Sequence, residues 1–277
     1  MSKTDARNTN AFSETILERE EAHHDQWSSE IDAGSIRVEK FFESSTSPEN
    51  RFLLGKLGDL KGKRILDLGC GAGEGSVYFA LKGADCVAAD LSSGMVQIAL
   101  RVAERYGVKV HGHVMNAMAI DFPDCSFDIV YAANLLHHGN PVATLREMHR
   151  VLRPGGKACF WDPLKHNPII NIYRRIAKNV RSRDERPLDY NTIIDDARGL
   201  FSRIEYDTFW FCTLWIFLKF YFIEHVDPNK ERYWKKIISE EERLRPLYLR
   251  LEKYDACIKR APFMKRYAWN IALVGTK

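Results

Sequence analysis

The chain lacks paired cysteines, a long hydrophobic run and a strong excess of one charge. Its six cysteines include no Cys-x-x-Cys pair and no zinc-ligand spacing, so we expect free buried thiols and no metal site. The first residues carry no apolar stretch, so no secretory signal is expected and the cytoplasm is the expected location. Within residues 60–165 no basic cluster alternates with stacking aromatics, which argues against a nucleic-acid partner.

The composition is that of a globular chain with a large core. Hydrophobic residues make up 45% of the 277 positions and charged residues 28%, which indicates one sizeable core under a polar surface. The formal net charge is +4, and the basic excess lies in residues 160–277. Such a basic part can attract an anionic lipid or a phosphorylated substrate, or it can be an ordinary solvated helix face.

The most informative segment is a glycine-rich turn that follows a short apolar run. Residues 65–68 have the pattern of a buried parallel strand, and glycines 69, 71, 73 and 75 come directly after it. A strand that ends in such a turn and continues into a helix exposes backbone N–H groups, because glycine has no Cβ to block a ligand. A tight turn without a ligand would need fewer glycines.

The spacing of these glycines excludes two common phosphate-binding motifs. A dinucleotide fingerprint requires Gly-x-Gly-x-x-Gly/Ala, but the last position is Glu74 when the motif starts at Gly69 and Ser76 when it starts at Gly71. No Gly-Lys-Ser/Thr follows, so a phosphate loop is also absent. Asp67 precedes the glycines, where its carboxylate would repel a pyrophosphate and would suit a ligand with an ammonium group.

The segment Asp67-Leu68-Gly69-Cys70-Gly71 resembles the first motif of class I S-adenosylmethionine-dependent methyltransferases, in which Asp/Glu-x-Gly-x-Gly holds the methionine end of the cofactor. Further elements follow in that family's order over about residues 60–165. Asn-Leu-Leu-His-His at 134–138 and Leu-Arg-Pro-Gly-Gly at 152–156 are similar to the small-molecule branch that includes the ubiquinone/menaquinone C-methyltransferases. The resemblance implies S-adenosylmethionine as the cofactor.

The resemblance also implies which residues bind that cofactor. Asp90 ends a second strand, where an acid accepts hydrogen bonds from ribose hydroxyls. Asn116 stands where the family usually has an acid that recognises the adenine amino group, and its amide oxygen can still accept that bond. The implied cofactor-binding residues are Asp67, Gly69, Cys70, Gly71, Asp90, Leu91, Met95, Asn116, Ala117 and Asn134.

Two histidines are the candidates for catalysis. Methyl transfer from a sulfonium ion needs alignment and exclusion of water, and a general base only if the acceptor must lose a proton. His137 and His138 follow the fourth strand of the expected sheet, and we expect His138 to reach further into the cleft. The alternative is that one of them caps a helix or packs under the cofactor. Asp162 and His166, after the fifth strand, are reserve candidates.

Alternating strands and helices predict an α/β fold. We expect a Rossmann-like, seven-stranded, mostly parallel sheet with helices on both faces, in which ligands bind beyond the carboxyl ends of the strands. An N-terminal helical cover is expected over residues 1–59, the methyltransferase core over 60–210 and 263–277, and an inserted helical lid or substrate-binding region over 211–262.

The aromatic run from Phe209 to Ile223 has three interpretations. It can form a buried helical core, the wall of a lipophilic substrate pocket, or an interfacial membrane helix, but it is too short to span a bilayer. If it forms a pocket, Trp215 and Tyr221 contact the substrate. Two further candidate substrate residues are Trp27, which can instead pack on the domain edge, and His166. For His23 and His24, solvent exposure is expected.

These observations predict transfer of a methyl group from S-adenosylmethionine to a small, hydrophobic or aromatic metabolite by in-line displacement. One alternative is a methyltransferase that acts on a lipid or prenylated quinone at the membrane surface, with peripheral membrane contact. Others are a nicotinamide-dependent oxidoreductase and a catalytically silent cofactor-binding module. Residues 134–137 lack the Asn/Asp-Pro-Pro-aromatic motif of base-flipping amino-methyltransferases. The acceptor atom and the oligomeric state stay open.

Overall fold

A single seven-stranded sheet organises the chain. The computed structural model describes residues 3–179, 182 and 184–277, with side chains from residue 15 onward. The strands are β1 (Arg64–Leu68), β2 (Asp85–Asp90), β3 (Val110–Val114), β4 (Phe127–Ala133), β5 (Leu152–Pro163), β6 (Arg203–Phe209) and β7 (Asn270–Thr276). Their order is β3-β2-β1-β4-β5-β7-β6; β7 pairs antiparallel with β5 and β6, and the other pairs are parallel. The predicted fold class is confirmed.

Helices surround this sheet and also occupy both regions that were expected to be helical. Before β1 lie α1 (Lys3–Ser29), α2 (Val38–Glu43) and α3 (Pro48–Leu57). Between β1 and β6 lie α4 (Glu74–Leu81), α5 (Ser93–Arg105), α6 (Pro141–Val151), α7 (Pro168–Ile176) and α8 (Tyr190–Leu200). Between β6 and β7 lie α9 (Trp215–Leu218), α10 (Tyr233–Ser239) and α11 (Glu241–Ile258).

The sheet is buried on both faces, which explains its continuous apolar strands. Successive side chains of a strand point to opposite faces, so Leu66 and Ile65 of β1 belong to two different hydrophobic clusters. Leu66 packs in the same cluster as Phe160, whereas Ile65 packs with Tyr131. Only the glycine turn, residues 69–73, separates the carboxyl end of β1 from α4. Small side chains in this turn leave the end of the strand accessible to a ligand.

The inserted helices carry a third hydrophobic cluster of their own. Phe217 and Phe220 are buried there with Tyr233 and Tyr248, so the core interpretation describes one face of the aromatic run. Trp215 is 57% exposed and Tyr221 is 40% exposed. The prediction that these two side chains line a pocket is therefore corrected, because they lie on the opposite, outer face. Among the described residues, no helix is both long enough and apolar enough to cross a bilayer.

The cysteines divide between interior and surface. All six are free; Cys70, Cys86 and Cys159 are buried, whereas Cys125 and Cys257 are exposed. Burial raises the pKa of the Cys159 thiol, so this side chain stays protonated and behaves as a small apolar group. The expectation of buried thiols thus holds for three of them.

Candidate active site

A cavity of about 240 Å³ opens at the carboxyl ends of the central strands. The turns after β1, β2, β3 and β4 form its floor, and α1 and α10 contribute its outer wall. Parallel strands deliver the residues that follow them to one edge of the sheet, which is why segments distant in sequence meet here. The predicted site residues that line the cavity are Trp27, Asp67, Gly69, Cys70, Gly71, Asp90, Leu91, Asn116, Ala117, Asn134, His137 and His138.

Strand β2 holds the glycine turn in place, and two glycines of the turn have different structural roles. The backbone N–H groups of Gly69 and Cys70 both donate to the carbonyl oxygen of Ala89, at 2.8 and 2.9 Å. Gly73 has a φ of +86°, and a Cβ there would lie 2.6 Å from the Ala99 Cβ, so this glycine permits close packing on α5. Gly71 has a φ of +51° and open space where its Cβ would lie. It therefore leaves backbone accessible from the cavity.

Asp90 connects the glycine turn to the start of α5. Its Oδ2 accepts a hydrogen bond from the Gly71 N–H at 3.0 Å, and its Oδ1 accepts one from the Ser92 N–H at 3.0 Å. Burial raises the pKa of Asp90, although these two backbone donors oppose the shift. Each carboxylate oxygen keeps a second lone pair, so Asp90 can also accept hydrogen bonds from two neighbouring hydroxyls of a ligand.

Asp67 is a buried carboxylate at the end of β1. The backbone N–H and the hydroxyl of Ser76 donate to its Oδ2, at 2.6 and 2.5 Å. Its Oδ1 accepts no hydrogen bond from the described part of the chain. Burial raises the pKa of Asp67 to about 7, which a cationic group bound beside it would lower again. The site thus suits a ligand ammonium group.

The far end of the cavity is formed by the turn after β3. The side-chain oxygen of Asn116 accepts a hydrogen bond from the Met118 N–H at 2.9 Å, so this amide is already part of the turn. Asn134, after β4, adopts a φ of +56° and donates its N–H to the Trp161 carbonyl at 2.7 Å. Met95 is fully buried inside α5 and does not line the cavity, which corrects its prediction as a cofactor contact.

Both predicted histidines lie in a short 3-10 turn, Leu136–His138, and each is paired with an acid. Nδ1 of His137 lies 2.7 Å from Oδ1 of Asp162, a carboxylate with no exposed surface. The backbone N–H groups of Leu136 and His137 also donate to Asp162, each at 3.2 Å. Burial raises the pKa of Asp162 to about 7. Asp162, a reserve candidate, therefore positions His137.

His138 is paired with an acid that the sequence did not indicate. Its Nδ1 lies 2.7 Å from Oε2 of Glu20, which comes from α1. Burial alone would lower the pKa of His138, but the hydrogen bond to Glu20 and the charge of Glu185 outweigh it, so the pKa is raised. Nε2 of His138 makes no hydrogen bond with the described residues. This nitrogen is the ring atom that can exchange a proton with a ligand.

The remaining predicted residues fall on both sides of the cavity boundary. His23 and His24 line the cavity, contrary to the expected solvent exposure, and burial lowers the pKa of His24 to about 4. His166 lies outside it, with Nε2 3.0 Å from Oδ2 of Asp189 at the start of α8. His166 is therefore corrected from a substrate contact to a surface pairing.

Several side chains of the cavity had no signal in the sequence. They are Glu20, Tyr173, Arg174, Glu185, Arg232, Trp234 and Lys235. Two overlapping groups, Glu20 with His24 and His138, and His137 with His138 and Glu185, bring their potential ligand atoms within 4.8 Å of one another. The hydrogen bond between Glu20 and His138 already accounts for part of this clustering.

Comparison with known proteins agrees with the geometry. Residues 65–156 match the family described as methyltransferase domain. Over these residues the chain is similar to methyltransferase domains, and its sheet has the seven-stranded, mostly parallel order expected for that fold. Over 148 residues it is 34% identical to 27-O-demethylrifamycin SV methyltransferase of Amycolatopsis mediterranei, covering 52% of this chain and 51% of that protein. Over 122 residues it is 35% identical to phosphoethanolamine N-methyltransferase 3 of Arabidopsis thaliana, covering 42% of this chain and 25% of that protein.

Solved structures share the fold of this chain. Phosphoethanolamine N-methyltransferase 2 of Haemonchus contortus, solved with S-adenosylmethionine, has a TM-score of 0.55 at 20% identity, covering 87% of this chain and 60% of that one. The chain spans between 25% and 51% of the length of the two curated relatives. The matched segment contains the glycine turn and the histidine pair, whereas Glu20 and α10 lie outside it. The family match therefore covers the floor of the cavity and not the side chains that α1 and α10 contribute to its wall.

Proposed function

We propose that this protein transfers the methyl group of S-adenosylmethionine to a small-molecule acceptor bound under α1 and α10. The observation that carries the proposal is that one cavity joins the glycine turn and Asp90 to the two acid–histidine pairs. The cofactor would supply a methyl group activated on a sulfonium sulfur. The protein then has to align the acceptor and exclude water, and a cavity closed by two helices serves both purposes.

The residues present fit the cofactor. Oδ1 of Asp67 would accept a hydrogen bond from the ammonium group, and Asp90 would accept from the ribose hydroxyls. The open space beside Gly71 would hold the part of the cofactor between them. The carboxylate oxygens of Asp67 and Asp90 in these assignments can each accept a further hydrogen bond. The backbone at Gly71 has no side chain that would block the cofactor.

We assign the general base to His138 for acceptors that must lose a proton. Glu20 holds Nδ1, which orients the ring and leaves Nε2 for the acceptor. Because His138 has a raised pKa, its neutral form becomes available only as pH rises through that value. His137, held by Asp162, is the second candidate for a contact with the acceptor.

A small aromatic or hydrophobic acceptor is supported by the wall of the cavity. Aromatic side chains from several segments line it, among them Trp27, Tyr173, Trp234 and Trp269. Flat apolar faces of this kind favour a ring or hydrocarbon in the acceptor. One relative is named for a 27-O-demethylated acceptor and the other as an N-methyltransferase, so the likeness leaves the acceptor atom open.

Calorimetric titration with S-adenosylhomocysteine, NADH and NADPH tests the cofactor assignment. We expect saturable binding of S-adenosylhomocysteine only. Asp90→Ala should weaken it by about 1–3 kcal/mol, because the ribose hydroxyls lose their acceptor. Gly71→Val should weaken it more, because its side chain would enter the open space. Asp85→Ala, at the exposed opposite end of β2, is the matched control. Unchanged affinity in both site variants, with an intact fold, would refute the assignment.

A second candidate function is methylation of a lipid or prenylated quinone at a membrane surface. The observation that favours it is an exposed apolar group on the inserted helices, formed by Trp215, Tyr221, Phe222 and Ile223. Phe222 is 66% exposed and Ile223 is 70% exposed, which is costly in water unless another surface covers them.

Flotation with anionic vesicles distinguishes this second candidate. If these residues enter the interface, the wild type floats with vesicles of mixed neutral and anionic phospholipids, and Phe222→Asp with Ile223→Asp abolishes flotation. Leu81→Asp, an exposed apolar position on α4, is the control. A wild type that stays at the bottom of the gradient removes the candidate without affecting the first.

A further inference from the structure

Two cations lie beside each other at the wall of the cavity. Arg232, the residue before α10, places its guanidinium carbon 3.7 Å from the centre of the Trp27 ring, and the Lys235 ammonium lies 4.5 Å from the same centre. Both residues line the cavity together with Trp27. The indole ring therefore fixes the position of two positive charges through cation–π contacts.

Neither cation has an anionic partner in the described part of the chain. Arg232 and Lys235 make no side-chain hydrogen bond and no ion pair there. Their cationic groups instead contact aromatic rings, Arg232 that of Trp27 and Lys235 those of Trp27 and Trp234. The neighbouring Lys236 shows the contrast, since its ammonium lies 3.2 Å from Glu231 and 2.7 Å from Glu240. Lys236, which does not line the cavity, is thus paired with acids, whereas the two cations that line the cavity are not.

The surroundings make this arrangement unfavourable without a ligand. Burial lowers the pKa of Arg232 and of Lys235, and the charge of Arg232 lowers the pKa of Lys235 further. Glu185 and Glu74 oppose these shifts from a distance. Two adjacent like charges in a partly dry site are stabilised when an anion binds between them.

The position of the pair relates it to the acceptor. The positive charge of Arg232 contributes, after burial, to the lowered pKa values of His23 and His24, so Arg232 lies on the histidine side of the cavity. The ring of His24 lies 5.3 Å from the ring of His138. Arg232 therefore borders the space in which the acceptor would meet the proposed base, and Lys235 lies beside it over the same indole ring, where the charge of Glu74 also acts on it.

We propose that Arg232 and Lys235 form an anion subsite for the acceptor, which is a small molecule with a phosphate or carboxylate group. The inference rests on the proposed function, because it assigns this space to an acceptor. Trp27 fixes the position of the two cations, and the aromatic wall receives the remainder of the molecule. The acceptor class is then acidic as well as partly apolar, which narrows the proposal made above.

The test uses the full chain and inorganic phosphate as the probe. Phosphate is titrated by calorimetry into the free protein and into its complex with S-adenosylhomocysteine, for the wild type, Arg232→Gln, Lys235→Gln and the control Lys236→Gln. We expect saturable binding to the wild type and the control, and affinity about 10- to 100-fold weaker in each site variant. S-adenosylhomocysteine affinity should change less than about threefold in all four proteins.

A second titration separates the acceptor from the cofactor's own carboxylate. Methylthioadenosine lacks that carboxylate. If Arg232 or Lys235 binds the cofactor's carboxylate, its replacement weakens binding of S-adenosylhomocysteine and leaves binding of methylthioadenosine unchanged. Loss of affinity for S-adenosylhomocysteine alone in the site variants would overturn the inference and assign the cations to the cofactor. Phosphate binding that is absent in the wild type, or unchanged in both variants, would also overturn it. Failure of the proposed function is a separate result: no S-adenosylhomocysteine binding in any protein, with phosphate still bound.

Discussion

The pair formed by His138 and Glu20 gives the sharpest kinetic prediction. Replacing His138 by Asn removes the only atom assigned to accept the proton, Nε2, so the rate constant of transfer should fall by about 10²- to 10⁴-fold. Glu20→Gln keeps a neutral hydrogen bond at the 2.7 Å contact but removes its charge. Loss of charge assistance costs about 1–2 kcal/mol, so the maximal rate should fall by about 5- to 30-fold.

The pH dependence separates the two variants. Burial, the largest influence on His138, lowers its pKa, and the hydrogen bond to Glu20 raises it above its ordinary value. In Glu20→Gln the hydrogen bond remains but its negative charge is gone, so it offsets burial less, the pKa of His138 falls and the acidic limb of the rate profile moves to lower pH. His138→Asn should lose this limb.

The assay follows transfer of a radiolabelled methyl group to the acceptors of a cell extract between pH 5 and 9. The titration of the His138 ring by NMR gives the same pKa without any acceptor. His111→Asn, an exposed histidine on β3, is the control and should retain both rate and profile. The assignment of a base is refuted if the rate of methyl transfer falls less than a few-fold in His138→Asn and the acidic limb of the pH profile does not move in Glu20→Gln. An amine acceptor that arrives deprotonated would then be the better hypothesis.

Three further predictions concern stability and the cofactor. Phe217→Ala should lower the free energy of unfolding in urea by about 3–5 kcal/mol, because Phe217 is buried in the cluster of the inserted helices, whereas the exposed Trp215→Ala should change it by less than about 1 kcal/mol. Because the pKa of His138 is raised in the folded state, its pairing should stabilise the fold fully below pH 6.5, the ordinary value, and this contribution should disappear as pH rises through the folded pKa. Unfolding of the wild type and His138→Asn across that range measures it. Asp67→Asn should weaken the binding of S-adenosylhomocysteine by about 5- to 30-fold in calorimetry. Its amide oxygen can still accept the hydrogen bond from Ser76, so the fold should be retained.

Much of the floor of the cavity was predictable because its signals are local. The glycine turn, the acid that ends β2 and the histidines after β4 each follow a strand directly, and parallel strands bring such positions to one edge. Strand β3 was the exception within this region. Its residues include His111, Gly112 and His113, it lies at the sheet edge and most of it is exposed, so it lacks the apolar run that marks the buried strands.

The wall of the cavity under α1 and α10 was not predictable because it depends on contacts between distant segments. Glu20 contacts a histidine more than a hundred positions away, and nothing in its helix distinguishes it from its charged neighbours. The aromatic run at 209–223 was visible in sequence, but its pattern did not reveal which face packs inward. It therefore suggested Trp215 as a pocket residue, whereas Trp234 on α10 lines the cavity.

The central claim is tested most directly by the mass of the product. The protein is incubated with S-adenosylmethionine that carries a ¹³C-labelled, fully deuterated methyl group and with metabolites from a cell extract, and the mixture is compared with one containing the unlabelled cofactor. We predict a small molecule whose mass differs by that of the labelled methyl group between the two, formed by the wild type and by Asp85→Ala but not by Gly71→Val. If S-adenosylhomocysteine binds yet no metabolite gains the label in extracts from several sources, the chain is a cofactor-binding module without methyltransferase activity, and the account is contradicted.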